Sequence, residues 1–380
     1  MREWGKRMWP GAAERAGTAP VGVPHRRRRP TRRMASGIGV ALAAVGVALA
    51  APGAPQAHAA TGIALLDPPK VVATIPVHDS PIAVALNPSS GRVYVVNRDD
   101  DSVSVIDPGS NTVVATIPVL TDPESVAVNP VSGRVYVVDN SFSGPRDHSN
   151  VQVIDPASNS VTATITVPYS ARHVAINPLT GRLYVTVVSY SDGPGQVVVI
   201  DPNSNAVTAT IPVGSFPEGI AVHPVTGTIY VADEVDNNIK VINSATNRVS
   251  ATVAVGDHPL GIAVSPVLGR IFVSNFYGNT VSVLDPLTNA VTTTIPVGKG
   301  PAGIAVNALT NEVYVADSGG YSSPTPIPNG NTVAVINPLT NAVTSYVPNP
   351  GSPYDVALNP LTGRAYVPNF EADTVSVIGR

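Results

Sequence analysis

The chain has 380 residues, 43% of them hydrophobic, which is enough for a large buried core, and it has no cysteine, which excludes disulfides and thiolate metal centres. Its formal charge of −3 is unevenly divided: residues 1–60 carry ten Arg/Lys against two Asp/Glu, and residues 61–380 carry thirteen against 24. A body this acidic repels phosphate backbones, so nucleic acid is excluded as a general partner.

Residues 1–60 read as an export signal with a basic extension. Arg26–Arg29, Arg32 and Arg33 form a positive region, and Gly37–Ala51 is an uncharged Ala/Gly/Val stretch. Pro52 interrupts it, and Ala57-His58-Ala59 supplies small residues for cleavage. The stretch is shorter than the ~20 residues a membrane span needs. The expected mature chain is secreted, without a membrane span. Thr31-Arg32-Arg33 leaves both the general and the twin-arginine export routes open.

From residue 61 on, a single unit repeats. Pro-x-x-(Ile/Val)-Ala-(Val/Leu/Ile) followed by Asn-Pro-x-x-Gly-Arg-x-Tyr-Val begins, with variation, at Pro81, Pro123, Ala171, Pro217, Pro259, Pro301 and Pro353. Each unit continues into a segment like Thr280–Asp285, and all but the last run on into one like Val291–Val297. Apolar and small polar residues alternate with period two, and Val, Ile, Thr and Tyr dominate, so the segments are strands. Asn177-Pro178-Leu179-Thr180-Gly181 and Asp285-Pro286-Leu287-Thr288-Asn289 are turns, with proline presetting φ. Four strands, A to D, recurring at about 42 residues predict a β-propeller blade.

Proline recurs in strand D at Pro76, Pro118, Pro212 and Pro296, which places D at the outer edge because proline cannot donate to a ladder. Strand A carries small residues, as in Gly219-Ile220-Ala221, which places it at the crowded axis. Strands A to C occur seven times. The first D segment, Val71–Val77, precedes the first A, and the last A–C set, from Pro353 to Ile378, has no D after it. The expected architecture is therefore an all-β, seven-bladed propeller of four-stranded antiparallel blades over residues 61–380, with strand 71–77 completing the last blade and leaving no open edge.

The second strands end in Tyr94-Val-Val-Asn97, Tyr136-Val-Val-Asp139, Tyr184-Val-Thr-Val187, Tyr230-Val-Ala-Asp233, Phe272-Val-Ser-Asn275, Tyr314-Val-Ala-Asp317 and Tyr366-Val-Pro-Asn369. These resemble the YVTN-type β-propeller repeat over about residues 66–380. The resemblance implies an exported or surface-located seven-bladed propeller and no single activity; related propellers include lactonases, a streptogramin lyase and surface-layer modules. Val187 departs from the pattern and removes the polar residue in the third blade.

The near-identical A–B turns read as structural. The long B–C loops Asn140–Asn150, Val188–Gly195 and Ser318–Asn331 rise on the opposite, D–A/B–C face, where binding is expected. The candidate ligand-binding residues on that face are Glu124, Arg172, His173, Glu218 and Asp355 at the starts of A strands, with His78 and His258 from D–A loops. His148 falls there too, whereas His223 replaces Asn in an A–B turn and reads as structural. The expected function is a binding or scaffolding module for a protein, a cell-envelope glycan or a small molecule, acting as a monomer and without a cofactor. The alternative is an extracytoplasmic lactonase or lyase with His173, His258, Glu124 and Glu218 as catalytic candidates, because a His–carboxylate pair supplies a general base or holds a divalent cation. Asp99-Asp100-Asp101 and Asp233-Glu234-Val235-Asp236 offer oxygen-rich loops for Ca²⁺, though capping of the B–C turns explains them as well. Asx capping also accounts for Asn97, Asp139, Asp233, Asn275, Asp317 and Asn369.

Overall fold

The computed structural model describes residues 67–140, 148–189, 193–319 and 330–380. The expected export segment and the centres of the three long loops lie outside the described residues. Twenty-eight strands form seven antiparallel sheets of four. Six sheets run A-B-C-D in chain order: blade 1 (Pro81–Pro118), blade 2 (Pro123–Pro168), blade 3 (Ser170–Pro212), blade 4 (Pro217–Ala254), blade 5 (Pro259–Pro296) and blade 6 (Pro301–Pro348). Blade 7 takes its A, B and C strands from Ala357–Leu358, Ala365–Asn369 and Thr374–Gly379, and its D strand from Lys70–Pro76 at the other end of the chain. Lys70 pairs with Gly379 and Pro76 with Thr374, so the ring closes by strand pairing as the repeat count requires.

The A strands face one another across neighbouring blades with almost no side-chain space between them. A Cβ on Gly219 would collide with the carbonyl oxygen of Leu260, one on Gly261 would lie 2.5 Å from that of Ala302, and one on Gly303 would meet the backbone of Asp355. The B strands are buried on both faces: Val93–Asn97, Val135–Asp139 and Ile229–Asp233 are buried throughout. Only the D strands show the exposed–buried alternation of an edge, as in Thr112–Pro118. The apolar clusters lie between blades. One joins Ile75, Tyr366 and Val375 of blade 7 to Val93, Val95 and Ile106 of blade 1, so closing the ring and filling that core are one event.

Blade 7 departs from the expected A strand. Pro353 forms only an isolated bridge to Asn369, and the regular strand shrinks to Ala357–Leu358. Pro368, on the facing B strand, has no N–H to give the ladder. Asp355 fills the gap, its carboxylate accepting from the backbone N–H of Val84 in blade 1 (3.0 Å) and of Val356 (2.8 Å).

Candidate functional site

The D–A turn before strand A sets the site. The residue preceding the strand has positive φ in most blades (Ser80, Asp122, Tyr169, His258, Gly300, Ser352). Its carbonyl accepts a hydrogen bond from the residue after the B-strand cap: Arg98 to Ser80, Asn140 to Asp122, Phe276 to His258, Ser318 to Gly300 and Phe370 to Ser352. In blade 4 the N–H of Glu234 donates to Phe216 instead. In these six blades the D–A loop is thereby tied to its own B–C loop. The residue that follows the B-strand cap turns back toward the start of strand A, and in blades 1, 2 and 4 it is Arg98, Asn140 and Glu234, all buried.

These residues complete a line of charges that crosses blade boundaries. Arg98 of blade 1 reaches Asp122 (2.5 Å) and Glu124 (3.1 Å) of blade 2. Glu124 also accepts from Asn140 (3.2 Å) and from Arg172 of blade 3 (3.5 Å). Arg172 puts Nη2 2.7 Å and Nε 2.8 Å from Glu218 Oε1 of blade 4, and its guanidinium lies over the Phe216 ring. His173 holds Nδ1 3.5 Å from Glu218 Oε2. Beyond them, His258 of blade 5 sets Nε2 3.7 Å from Glu234 and Nδ1 2.9 Å from Asp257, with its ring edge-on to Tyr277.

Burial divides the line into a floor and a rim. Arg98, Glu124, Arg172, Glu218 and Glu234 are all below 9% exposed. The side chains of His173 and His258 are 44% and 28% exposed. Burial pushes the Glu218 carboxyl up, but the Arg172 charge, the nearby His173 and the hydrogen bond from Arg172 outweigh it and hold the group below the usual carboxylate range. Glu234 goes the other way. Burial, reinforced by the charge of Glu218, pushes it up to about 9 against the opposing pull of Arg172, and its Oε2 is buried with no hydrogen-bond partner. One carboxylate is therefore ionised and one protonated near neutral pH, side by side, the first behind His173 and the second behind His258. His173 Nδ1 is buried while much of the ring is exposed, which leaves Nε2 as the nitrogen a ligand can reach.

The structure brings Glu124, Arg172, His173 and Glu218 into one network, with His258 at its far end through Glu234. Two candidates stand apart from it. His78 pairs with Asp100 (3.3 Å) and Thr116 (3.0 Å) at the rim of blade 1. Asp355 spends its carboxylate on backbone N–H groups, and burial raises it despite those bonds. Arg98 and Asp122 were not singled out from sequence, and Glu234 was read there only as part of an acidic loop. The signal was available, since Arg98 and Glu234 share one position of the repeat, immediately after the B-strand cap.

The capping residues behave structurally. Asn97 donates to Ser102 and Ser104 (both 2.9 Å), and Asn275 and Asn369 make the same pair of bonds to the residues five and seven positions on. Asp233 accepts from the Phe216 N–H (3.0 Å) and is pushed up to about 6, chiefly by burial and then by Asp236. The acidic runs are engaged in turn bonds: Asp99 accepts from Ser80, Asp100 from Ser102, and Asp101 from the Asp122 N–H. His223 Nδ1 accepts from the N–H groups of Val225 and Thr226, as Asn129 does from Val131 and Ser132. Among the described residues, no group of three or more His, Asp or Glu has the geometry of a metal site.

Charge is polarised across the ring. Among the described residues, sixteen carboxylates and four cationic side chains lie toward the D–A/B–C face, against six carboxylates and eight cations toward the other.

No family model matches the chain, and no curated protein does. Among solved structures, it is similar to hydrazine synthase of Kuenenia stuttgartiensis, with a TM-score of 0.67, 17% identity, and coverage of 79% of this chain and 95% of that one. It is also similar to the WD40 β-propeller domain of Doa1, with a TM-score of 0.66, 13% identity, and coverage of 82% and 97%. At such identities the likeness is one of fold: the chain is a seven-bladed β-propeller of seven four-stranded antiparallel blades.

Proposed function

We propose that the chain is an exported propeller of the YVTN type that acts as a binding module, taking its ligand at the D–A/B–C mouth of the pore over blades 2 to 5. The buried ion network carries this reading. Ion pairs this deeply buried contribute little net stability, since desolvation offsets most of their attraction. Here they hold His173 and His258 at the rim with Glu218 and Glu234 fixed behind them. The excess of carboxylates on this face favours a ligand with cationic or hydrogen-bond-donating groups, whether it belongs to a protein, an envelope glycan or a small molecule. Ligand screening by thermal shift on wild type and on the double variant His173→Ala/His258→Ala tests it. A hit that raises the melting temperature of wild type and loses at least about tenfold in affinity in the variant supports the reading. Hits that bind both proteins equally refute it.

A second reading, an extracytoplasmic lactonase or lyase, is favoured by the His173–Glu218 pair. A carboxylate behind one imidazole nitrogen fixes the tautomer and leaves the other as a general base. Glu218→Gln preserves shape and removes the charge. In the enzyme reading it lowers kcat on a lactone or lyase substrate by more than about tenfold while KM changes little. Absence of turnover across both substrate classes retires this reading and leaves the binding one standing.

A further inference from the structure

The A–B/C–D face looks purely structural in the sequence because its turns are near copies. Six of the seven A–B turns share one backbone geometry, closed by an i to i+4 hydrogen bond such as Gly133 to Asn129, Gly181 to Asn177 and Gly363 to Asn359. Equivalent turns on equivalent blades bring their tips to a common level. At the tips of five of them stand Val131, Leu179, Val225, Leu309 and Leu361, with Val267 at the tip of the differently closed blade 5 turn and Leu287 and Leu339 added from C–D turns. These eight side chains are 58% to 91% exposed, above the other exposed aliphatics, of which Val235 (55%) and Val114 (52%) come next.

The fold does not require them. The turn is set by its flanking Asn, Pro and Gly, and blade 1 makes the same turn with Ser89 at the tip. In the C–D turns, Gly109, Ala157, Asn203 and Ala245 occupy the position that Leu287 and Leu339 fill. The large aliphatics are therefore an addition, and they concentrate on blades 5 and 6, where both kinds of turn carry them, with Leu361 beside them on blade 7. Four cations, Lys70, Arg270, Arg364 and Arg380, lie in the same sector against three carboxylates, Asp67, Asp285 and Glu312. Arg270 is held by the Pro338 carbonyl and by Asn341 (3.2 Å), and Arg380 by Glu312 (2.6 Å). The chain enters the propeller at Lys70, on this face and in this sector, from a leader whose sequence includes the apolar stretch Gly37–Ala51.

We infer that the A–B/C–D face of blades 5 to 7 is a membrane-docking surface that rests on an anionic lipid bilayer through Val267, Leu287, Leu309, Leu339 and Leu361. A flat set of aliphatic tips with guanidinium groups beside them matches the two layers of a bilayer surface, acyl boundary and headgroup. The acidic face then points away from the lipid and stays open to ligand.

The absence of cysteine gives a clean test in the full chain. Single Leu361→Cys and Val235→Cys variants, the second on the opposite face, are labelled with an environment-sensitive fluorophore and mixed with vesicles of equal phosphatidylglycerol and phosphatidylcholine. A blue shift is expected at position 361 and none at 235, and lipid-borne quenchers should reach only the former. Replacing Leu287, Leu309, Leu339 and Leu361 together by Ser should lower partitioning onto these vesicles by about tenfold or more, with the melting temperature unchanged. The leader is present in every protein compared, so the difference reports the sector alone. Equal shifts at both positions, unchanged partitioning in the Ser variant, or no vesicle binding overturns the inference. So does a shift at 361 that grows with protein concentration without vesicles, which would assign the face to a second copy of this chain.

Discussion

Arg172 is the residue whose loss the network should tolerate least. It is 6% exposed and lies between Glu124 and Glu218, with Glu234 close enough to feel its charge. Arg172→Met keeps much of the volume and the contact with Phe216 but leaves these carboxylates without their shared cation. Removing one partner of a buried ion pair costs about 3–5 kcal/mol. A domain of this size unfolds with an entropy of about 2.1 cal/mol/K per residue, so 1 kcal/mol corresponds to roughly 1.5 °C, and the expected fall in melting temperature at pH 7.5 is about 5–8 °C. The pH dependence follows from the sign of the shift. In wild type Glu218 is held below its unfolded value, so its contribution is present above that value and lost as pH falls through the folded one. In Arg172→Met burial acts unopposed by Arg172, and the folded pKa moves above the unfolded value. The penalty is then largest at neutral pH and shrinks as pH falls toward the unfolded carboxylate range. Calorimetry at pH 7.5 and pH 4.5 reads both effects, and Arg172→Met/Glu218→Gln should recover a large part of the loss. A fall of less than about 2 °C, or a double variant no more stable than the single, would refute the account.

Four further outcomes follow from the geometry. Deleting Lys70–Pro76 removes Ile75 from the inter-blade core and exposes the strand Thr374–Gly379 as an open edge, so the melting temperature should drop by about 10 °C or more and aggregation should rise. Gly261→Ala sets a Cβ 2.5 Å from the Ala302 carbonyl oxygen and should destabilise by about 1–3 kcal/mol in a denaturant titration, whereas Ala at Gly379, where the nearest atoms would lie 3.5 Å from the added Cβ, should cost less than half as much. Tyr366→Phe removes a buried hydroxyl that has no hydrogen-bond partner, and should leave stability unchanged or raise it by up to about 1 kcal/mol; Phe272 already fills the equivalent site in blade 5. Glu234 has a folded pKa of about 9, above its unfolded value, so its ionisation in the unfolded chain erodes stability as pH rises between the two; Glu234→Gln should therefore stabilise more at pH 8 than at pH 5.

The ring was legible in sequence because the features that set it are local and recur: the Asn-Pro-x-x-Gly turn, the proline in strand D, the small residues of strand A, and the displacement of one D segment to the front of the chain. Each acts within a few residues, so a single sequence displays it. The last A strand was misjudged because its loss depends on Pro368 facing it across the sheet, a relation between strands. The site was half legible. Glu124, Arg172 and Glu218 occupy one repeat position on successive blades, and that register foretold their convergence. Asp355, one position further along in blade 7, shares their face, yet the shortened strand leaves backbone N–H groups that its carboxylate satisfies instead. The protonated state of Glu234 was hidden for a different reason. It arises from burial beside Glu218, and neither charge nor depth can be summed before neighbouring blades are placed.

The two faces differ in what the repeat left free. On the D–A/B–C face, the variable positions are the second and third residues of strand A and the residue after the B-strand cap. Charged and polar side chains there make a cluster that no single blade contains. On the A–B/C–D face, the free position is the turn tip, and it has filled with Val and Leu in six blades even where the residues that build the turn vary, as at His223, Ser265 and Ala308. A tip that needs only to be exposed would tolerate any polar residue, as Ser89 demonstrates, and chance would not keep it aliphatic so consistently. The same reasoning that assigns ligand binding to the acidic face, divergence at a position the scaffold does not constrain, thus gives the opposite face a role of its own. There the unconstrained position converged on one chemistry, which suits a partner that is itself uniform, flat and apolar beneath a charged layer.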